Sequence, residues 1–341
     1  MDIKKKILNN NKIILGIETS FDDTSCAILK GKNVLSNIIY KQKIHNKYLG
    51  VKPSLAYDTH LVKIYQVVKR ALKKAYINMI DINIIAYTKG PGLIGSLMIG
   101  EHFAKSLAIS LNLPLIGINH VHGHIYSIFL NKKNTPTFPY ICLSISGGHT
   151  KLLIIKDFFK IKSIGETLDE SVGILIDKIS ILLGFKYTQG PNLIDKYAKK
   201  GKFIFKFPIP NVKNFNFSFS GLITYIKNII KKKKNNIKKD ICRSLLETIF
   251  IIFKIKILNL IKLTNIKNIV ITGGVISNFF LKKKFQKFFL KKKINLFINS
   301  NKNYLIDNAA MIALVGNIKS YYNLYEDFKC YVDSNLDINK L

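Results

Sequence analysis

IETSFDDTSCAIL, residues 17–29, and LSISGGHTKLLII, residues 143–155, are one device written twice. Each is a short apolar run, a turn of small polar residues, and a second apolar run. Apolar runs of this length between turn residues read as buried strands. Working outward, KIILGIE at 12–18 enters the first turn, CAIL returns from it, and NVLSNIIY adds a third strand. SLAYDTHLVKIYQVVKRALKKAY has helical periodicity. INIIAYT at 82–88 is a strand, KGPGLIGS opens a helix to about Leu111, and PLIGIN at 114–119 is a strand running into histidines. The pattern then restarts with YICLSIS, the GGH turn and TKLLIIK. Helices follow at about 168–183, 221–233 and 239–265. NIVIT at 268–272 is a strand, GGVISN turns into a helix, and NLFIN is a last strand before a helix from about Asp307.

The repetition predicts an α/β chain made by duplication of one unit. Two such lobes would face each other across a cleft, with the turns directed into it. The polar stretch NKKNTPTF, with Pro136, marks a linker. The expected division is an N-terminal lobe at 1–132 and a C-terminal lobe at 133–341, whose final helix can pack back on the first lobe.

The 341 residues are 48% hydrophobic, enough for a buried core. Lys and Arg total 54 against 20 acids, for a net charge of +34, and Arg70 and Arg243 are the only arginines. Such charge implies a polyanion partner, most simply nucleic acid. Codon drift toward Lys, Ile and Asn would produce it without purpose, and both readings stay open. The lysine run KKKKNNIKKD at 231–240 reads as a solvated loop. Cys26, Cys142, Cys242 and Cys330 lie far apart with no CxxC, which fits a reducing compartment. MDIKKKILNNN lacks the apolar core of a signal peptide. The most apolar run, 245–263, is interrupted by Glu247, Lys254, Lys256 and Lys262, whereas a spanning helix needs about 20 mostly uncharged residues. A soluble cytoplasmic protein without membrane association is expected.

Three features could carry chemistry. SGGHT, TKGPGLIGS and ITGGVISN are glycine turns beside strands. Their bare amides, and the helix N-termini they open, suit phosphate groups. None has the GxxxxGK[ST] or GxGxxG spacing. INHVHGHIY, residues 118–126, holds three of the seven histidines. His120 and His124 are four apart and share a helical face, while His122 points elsewhere. Two histidines need a further ligand to hold a cation, and Asp307 in LIDNAAMIA can supply a carboxylate from a helix start. In HExxH peptidases a glutamate follows the first histidine; here it is Val121. The acids Glu18, Asp22, Asp23, Asp177 and Asp195 lie near strand ends or glycine turns, where carboxylates bind hydroxyls or metal or act as bases.

Together these stretches resemble the TsaD family, also called Kae or Gcp proteins. The matching motifs are GIETSFDDTSCAI, AYTKGPGLIGSLMIG, INHVHGH, LSISGGHTKL, IGETLDESVGILIDKISILLG, QGPNLIDKYA, FSFSGLIT, ITGGVISN and DNAAMIA, in the family's order along nearly the whole chain. The resemblance implies a two-lobed fold of the actin, Hsp70 and sugar-kinase class. It implies transfer of a threonylcarbamoyl group from threonylcarbamoyl-adenylate to N6 of adenosine 37, in tRNAs reading codons that begin with A. It places one divalent metal, Fe(2+) or Zn(2+), on His120, His124 and Asp307. It places the nucleotide on Ser144, Ile145, Ser146, Gly147, Gly148, Asp177, Gly190, Asp195 and Asn278. TsaB-like and TsaE-like partners are expected beside tRNA.

Several positions depart from the family. Asp23 stands where a glutamate is usual, and is the candidate for proton removal. PSLAYD at 53–58 replaces PELASR, Asn119 and His122 replace a His and a Glu, and TQGP at 188–191 replaces PGGP. The metal ligands survive while their surroundings have drifted, which predicts a slow enzyme. The rival readings are a zinc metallopeptidase, opposed by Val121, and a non-catalytic scaffold of the same fold.

Overall fold

In a computed structural model, which describes residues 7, 10–48, 50–130, 135–186, 189–232 and 237–339, both predicted strand–turn–strand openings form. β1 (Ile13–Glu18) pairs antiparallel with β2 (Asp23–Lys30), and β2 with β3 (Asn33–Lys41). β4 (Ile84–Gly90) and β5 (Leu115–Asn119) continue the sheet in parallel on the other side of β1, giving the order β3-β2-β1-β4-β5. β6 (Tyr140–Ile145), β7 (Thr150–Asp157), β8 (Lys160–Glu166), β9 (Asn268–Thr272) and β10 (Asn295–Phe297) form a second sheet, ordered β10-β9-β6-β7-β8. Read from the other edge, this is the first order again, with the same antiparallel and parallel pairs. The duplication therefore extends to strand order and direction.

The chain divides into two units, Met1–Thr135 with Asn299–Leu341, and Pro136–Ile298. In the first, α1 (Pro53–Ala75) and α2 (Ile94–Ser110) pack on the sheet. Strand side chains alternate between faces. Leu15, Ile17, Ile85 and Tyr87 share a core with Ile64, Val67 and Val68 of α1 and Ala104 of α2. Ile14, Gly16 and Ala86 turn the other way and meet Ala309, Ala313 and Gly316 of α9 (Ala309–Tyr321). With helices on both faces, the middle strands are apolar over Ile13–Ile17 and Ile84–Tyr87, as strands buried on both sides are, and turn polar only at their ends. These contacts, with hydrogen bonds from Lys319 to the Gly117 carbonyl and from the Glu326 amide to the Leu115 carbonyl, attach residues 299–341 to the first sheet. α3 (His120–Tyr126) follows β5 directly.

The second unit carries α4 (Val172–Leu182), α5 (Gly190–Ala198), α6 (Ser220–Lys232), α7 (Lys238–Thr264) and α8 (Phe279–Lys291). The helix expected from about 168 begins only at Val172. Ser171 caps it by accepting from the Ile174 amide. The residues before it form a loop, in which Asp169 accepts hydrogen bonds from the Ser218 hydroxyl, the Phe219 amide and the Ser220 hydroxyl. β8 and α5 were not expected as elements. The expected strand NLFIN keeps only Asn295–Phe297.

All four cysteines are free. Among the described residues no helix is long and apolar enough to cross a membrane. Most of MDIKKKILNNN, residues 131–134 of the linker, Thr188 of TQGP and residues 233–236 of the lysine run lie outside the described residues.

Candidate metal centre

β5 ends in Asn119, whose side chain accepts from the Val121 amide and so starts α3 as an N-cap. One residue on, His120 begins the helix, and His124 follows one turn later on the same face. Gly123 lies between them. A Cβ there would sit 2.9 Å from the Met311 side chain, so only glycine lets α3 approach α9 this closely. That approach matters because Asp307 lies just before α9, whose N-cap is Asn308.

Three donor atoms converge. His124 Nε2 lies 3.1 Å from His120 Nε2 and 3.0 Å from Asp307 Oδ1, and His120 Nε2 lies 3.5 Å from the same oxygen. The Asp307 side chain keeps about 29% of its exposure while both histidines are buried, so access is from the carboxylate side. His122 is turned away, as the helical spacing predicts. Its Nε2 donates to the Ile338 carbonyl at 2.7 Å. Burial, helped by the Lys319 charge, drives its pKa down to about 4.

Glu18, at the end of β1, holds the other side of His120. Its Oε2 lies 3.2 Å from His120 Nδ1 and accepts from the Thr88 hydroxyl at 2.5 Å, and its Oε1 accepts from the Ser20 amide at 2.7 Å. A carboxylate on Nδ1 fixes the ring and presents the Nε2 lone pair to the centre. Burial should lower the His120 pKa, but Glu18 and Asp307 overcome it and raise it to about 10. Burial should likewise raise Asp307, yet the His120 charge holds it well below the usual carboxylate range. Glu18 is lowered for the same reason against the same burial. The donor atoms of His120, His124 and Asp307 all lie within 4.8 Å of one another, close enough to share one cation. Two imidazole nitrogens and one carboxylate oxygen also leave positions open on a metal. The residues present fit a divalent ion.

Two more carboxylates stand nearby. Asp22 is pushed up to about 6 by burial and by the Asp307 charge. Asp23, the first residue of β2, is pushed up to about 8 by burial and then by Asp22. A carboxyl group in that range exchanges protons near neutrality. No carboxylate occupies the position after His120, where Val121 is buried.

The residues expected to hold a nucleotide lie in the second unit and gather around its turns. Ser144 and Ile145 end β6, and Ser146 closes the β6–β7 turn by accepting from the His149 amide. Gly147 and Gly148 at its tip are exposed, and the Gly147 carbonyl accepts from Ser171, the cap of α4. Gly273 (φ +96°) passes close against the Ile145 carbonyl, a left-handed conformation that favours glycine. Asp177 is half-buried on α4, and Gly190 opens α5 against Ser180 of that helix. Asp195 accepts from the Phe280 amide at the start of α8, where Asn278 is the N-cap. Two groupings result, one at the β6–β7 turn with α4 and one where α5 meets α8.

The sequence profile described as TsaD, tRNA N6-adenosine threonylcarbamoyltransferase, matches residues 33–314. Relatives bearing that name include one from Christiangramia forsetii, 41% identical over 96% of this chain and 99% of its own length. Another from Thermodesulfovibrio yellowstonii is 44% identical over 89% of this chain and 93% of its own length. Among solved structures, HypF of T. kodakarensis superposes with a TM-score of 0.66 at 14% identity, covering 92% of this chain and 49% of that one. Component A of (R)-2-hydroxyglutaryl-CoA dehydratase from Acidaminococcus fermentans gives 0.54 at 13%, covering 91% and 99%. These two similarities concern the fold, which is that of the actin, Hsp70 and sugar-kinase class.

Proposed function

The chain belongs to the TsaD family of tRNA N6-adenosine threonylcarbamoyltransferases, and we propose how its residues divide that work. It is a transferase that forms threonylcarbamoyladenosine in tRNA. The donor is threonylcarbamoyl-adenylate and the acceptor is N6 of adenosine 37, in tRNAs reading codons that begin with A. The N6 amine attacks the carbamoyl carbon, the bond from that carbon to the adenylate phosphate oxygen breaks, and AMP leaves. Asp23 takes the proton lost by the amine, which its raised pKa suits.

His120, His124 and Asp307 hold one divalent cation, with Glu18 orienting His120. Two histidines with one carboxylate favour Fe(2+), and Zn(2+) is the alternative. When bound, the ion supplies a Lewis acid and a template for the threonylcarbamoyl group. In the second unit the amides of Gly147 and Gly148 hold the adenylate phosphate, while the Ser146 amide closes the turn on the His149 carbonyl. Asp177, Gly190, Asp195 and Asn278 hold its nucleoside.

A TsaB-like partner pairs with α1 and α2. Tyr57, Leu61, Val62 and Tyr65 are exposed along α1, and Ile94 and Met98 on α2, which packs beside it. A soluble monomer has little use for such a stripe. A TsaE-like protein completes the set, and a tRNA substrate fits the cytoplasm.

The convergence of His120, His124 and Asp307 carries this reading. A metallopeptidase of the HExxH type would need a base at position 121, where valine stands. The test supplies the purified chain with threonylcarbamoyl-adenylate, an unmodified tRNA and its partners, followed by mass analysis of the tRNA nucleosides. Threonylcarbamoyladenosine should appear and should vanish on chelation. A metal-loaded chain that forms none would be a scaffold.

A further inference from the structure

One face of the second unit combines cations and aromatic rings in a single groove of about 580 Å3 between the end of α5, the first half of α7, and α8. Its floor is settled. Buried Glu247 of α7 accepts from Arg243 Nε at 3.1 Å and from Lys284. Its rim is not. Lys283, Lys287 and Lys291 follow at four-residue steps and so line one edge of α8. Their backbone origins are about 6 Å apart along the axis, close to the spacing of successive phosphates in an extended strand. Among the described residues none of the three is paired with a carboxylate.

Phe279 opens this edge and is 42% exposed, unusual for a phenyl ring. The ammonium groups of Lys199 and Lys283 lie 4.3 and 4.5 Å from its ring centre. Codon drift toward lysine adds charge anywhere on a surface. It does not account for an open phenyl ring set among cations along one groove. A positive track beside an aromatic platform is how proteins grip single-stranded nucleic acid.

We propose that this groove seats an unpaired stretch of RNA, its phosphates on Lys283, Lys287 and Lys291 and one base stacked on Phe279. The proposal rests on the tRNA-transferase reading for the identity of the RNA, and it adds a contact that begins beside Asp195 and Asn278, where Lys199 pairs with Asp195, and runs from there along α8.

The test measures binding of two fluorescent probes, a tRNA transcript and a short oligouridylate, across a salt titration without adenylate. The triple variant Lys283→Gln, Lys287→Gln, Lys291→Gln should bind both more weakly. The slope of log affinity against log salt should fall by about 2. A control triple at Lys156, Lys160 and Lys162, exposed on β7 and β8, should change little. Phe279→Ala should weaken oligouridylate binding by about 5- to 100-fold. Equal losses in both triples would mean that the charge is diffuse and would overturn the proposal. So would an unchanged Phe279→Ala variant, or displacement of the probe by poly-glutamate as readily as by unlabelled RNA. Thermal melts of each variant separate misfolding from lost contacts. Nucleoside analysis of the wild type is scored separately, so absent transfer with intact groove binding would count against the enzyme reading alone.

Discussion

His120 and His122 stand two residues apart on one short helix and do opposite things. The first faces two carboxylates and the second faces the Ile338 carbonyl. Metal analysis after dialysis should therefore show loss of the ion in His120→Ala, His124→Ala and Asp307→Ala, and retention in His122→Ala. Glu18→Gln should keep the ion but bind it about 10- to 100-fold more weakly, because the ring loses its orienting charge. Asp22 and Asp23 give a second expectation, measured in the presence of a chelator. From the ordinary carboxylate range up to about 8, the folded chain retains protons that the unfolded chain has released. Raising the pH through that window therefore destabilises the fold. The urea midpoint should drop between pH 5 and 8, and the double variant Asp22→Asn, Asp23→Asn should flatten the drop. The pairing of His120 with His124 was legible from spacing. The role of Glu18 was not, because 102 residues separate it from His120 and only the sheet brings them together.

Elements make their own demands. α3 reaches α9 only because position 123 has no side chain. Gly123→Ala should push Met311 aside and lower stability by about 1–3 kcal/mol, with weaker metal binding, as read by melting and by metal titration. The strands and glycine turns were readable because burial forces apolar runs and turns force small residues. β8 was not, since KIKSIGE is mostly exposed and carries no clean apolar period. α5 was hidden for another reason. It is nine residues long and begins with Gly and Pro, which read as a turn although Pro is at home in a first helical turn. The groove on α8 was equally hidden, because which lysine meets which phenylalanine depends on how α5, α7 and α8 pack.

At the scale of the whole molecule, duplication gives two sheets with one strand order, and the exposed surface is where a partner docks. The apolar stripe on α1 and α2 predicts that multiple turnover needs a partner. Leu61→Asp with Val62→Asp should abolish stimulation by that partner in a tRNA turnover assay and leave metal content unchanged. Both side chains are more than half exposed, so charge there spares the core. The repeat of strand, turn and strand made the fold class legible from two short segments. The attachment of 299–341 to the first sheet uses Ala309, Ala313 and Gly316 fitting against β1 and β4 and backbone bonds of Glu326 and Asp333 to Leu115 and Lys89, matches that a linear pattern does not display.

The distance along the chain between His124 and Asp307 has a consequence for biosynthesis. They are 183 residues apart, and the whole second unit is encoded between them. At about 5–20 residues per second, a ribosome exposes the histidine pair on the order of ten to forty seconds before the carboxylate that completes their set. An ion held by this set can therefore be taken up only late in the life of the nascent chain, and chains released before Asp307 lack the carboxylate however much of the first sheet they contain.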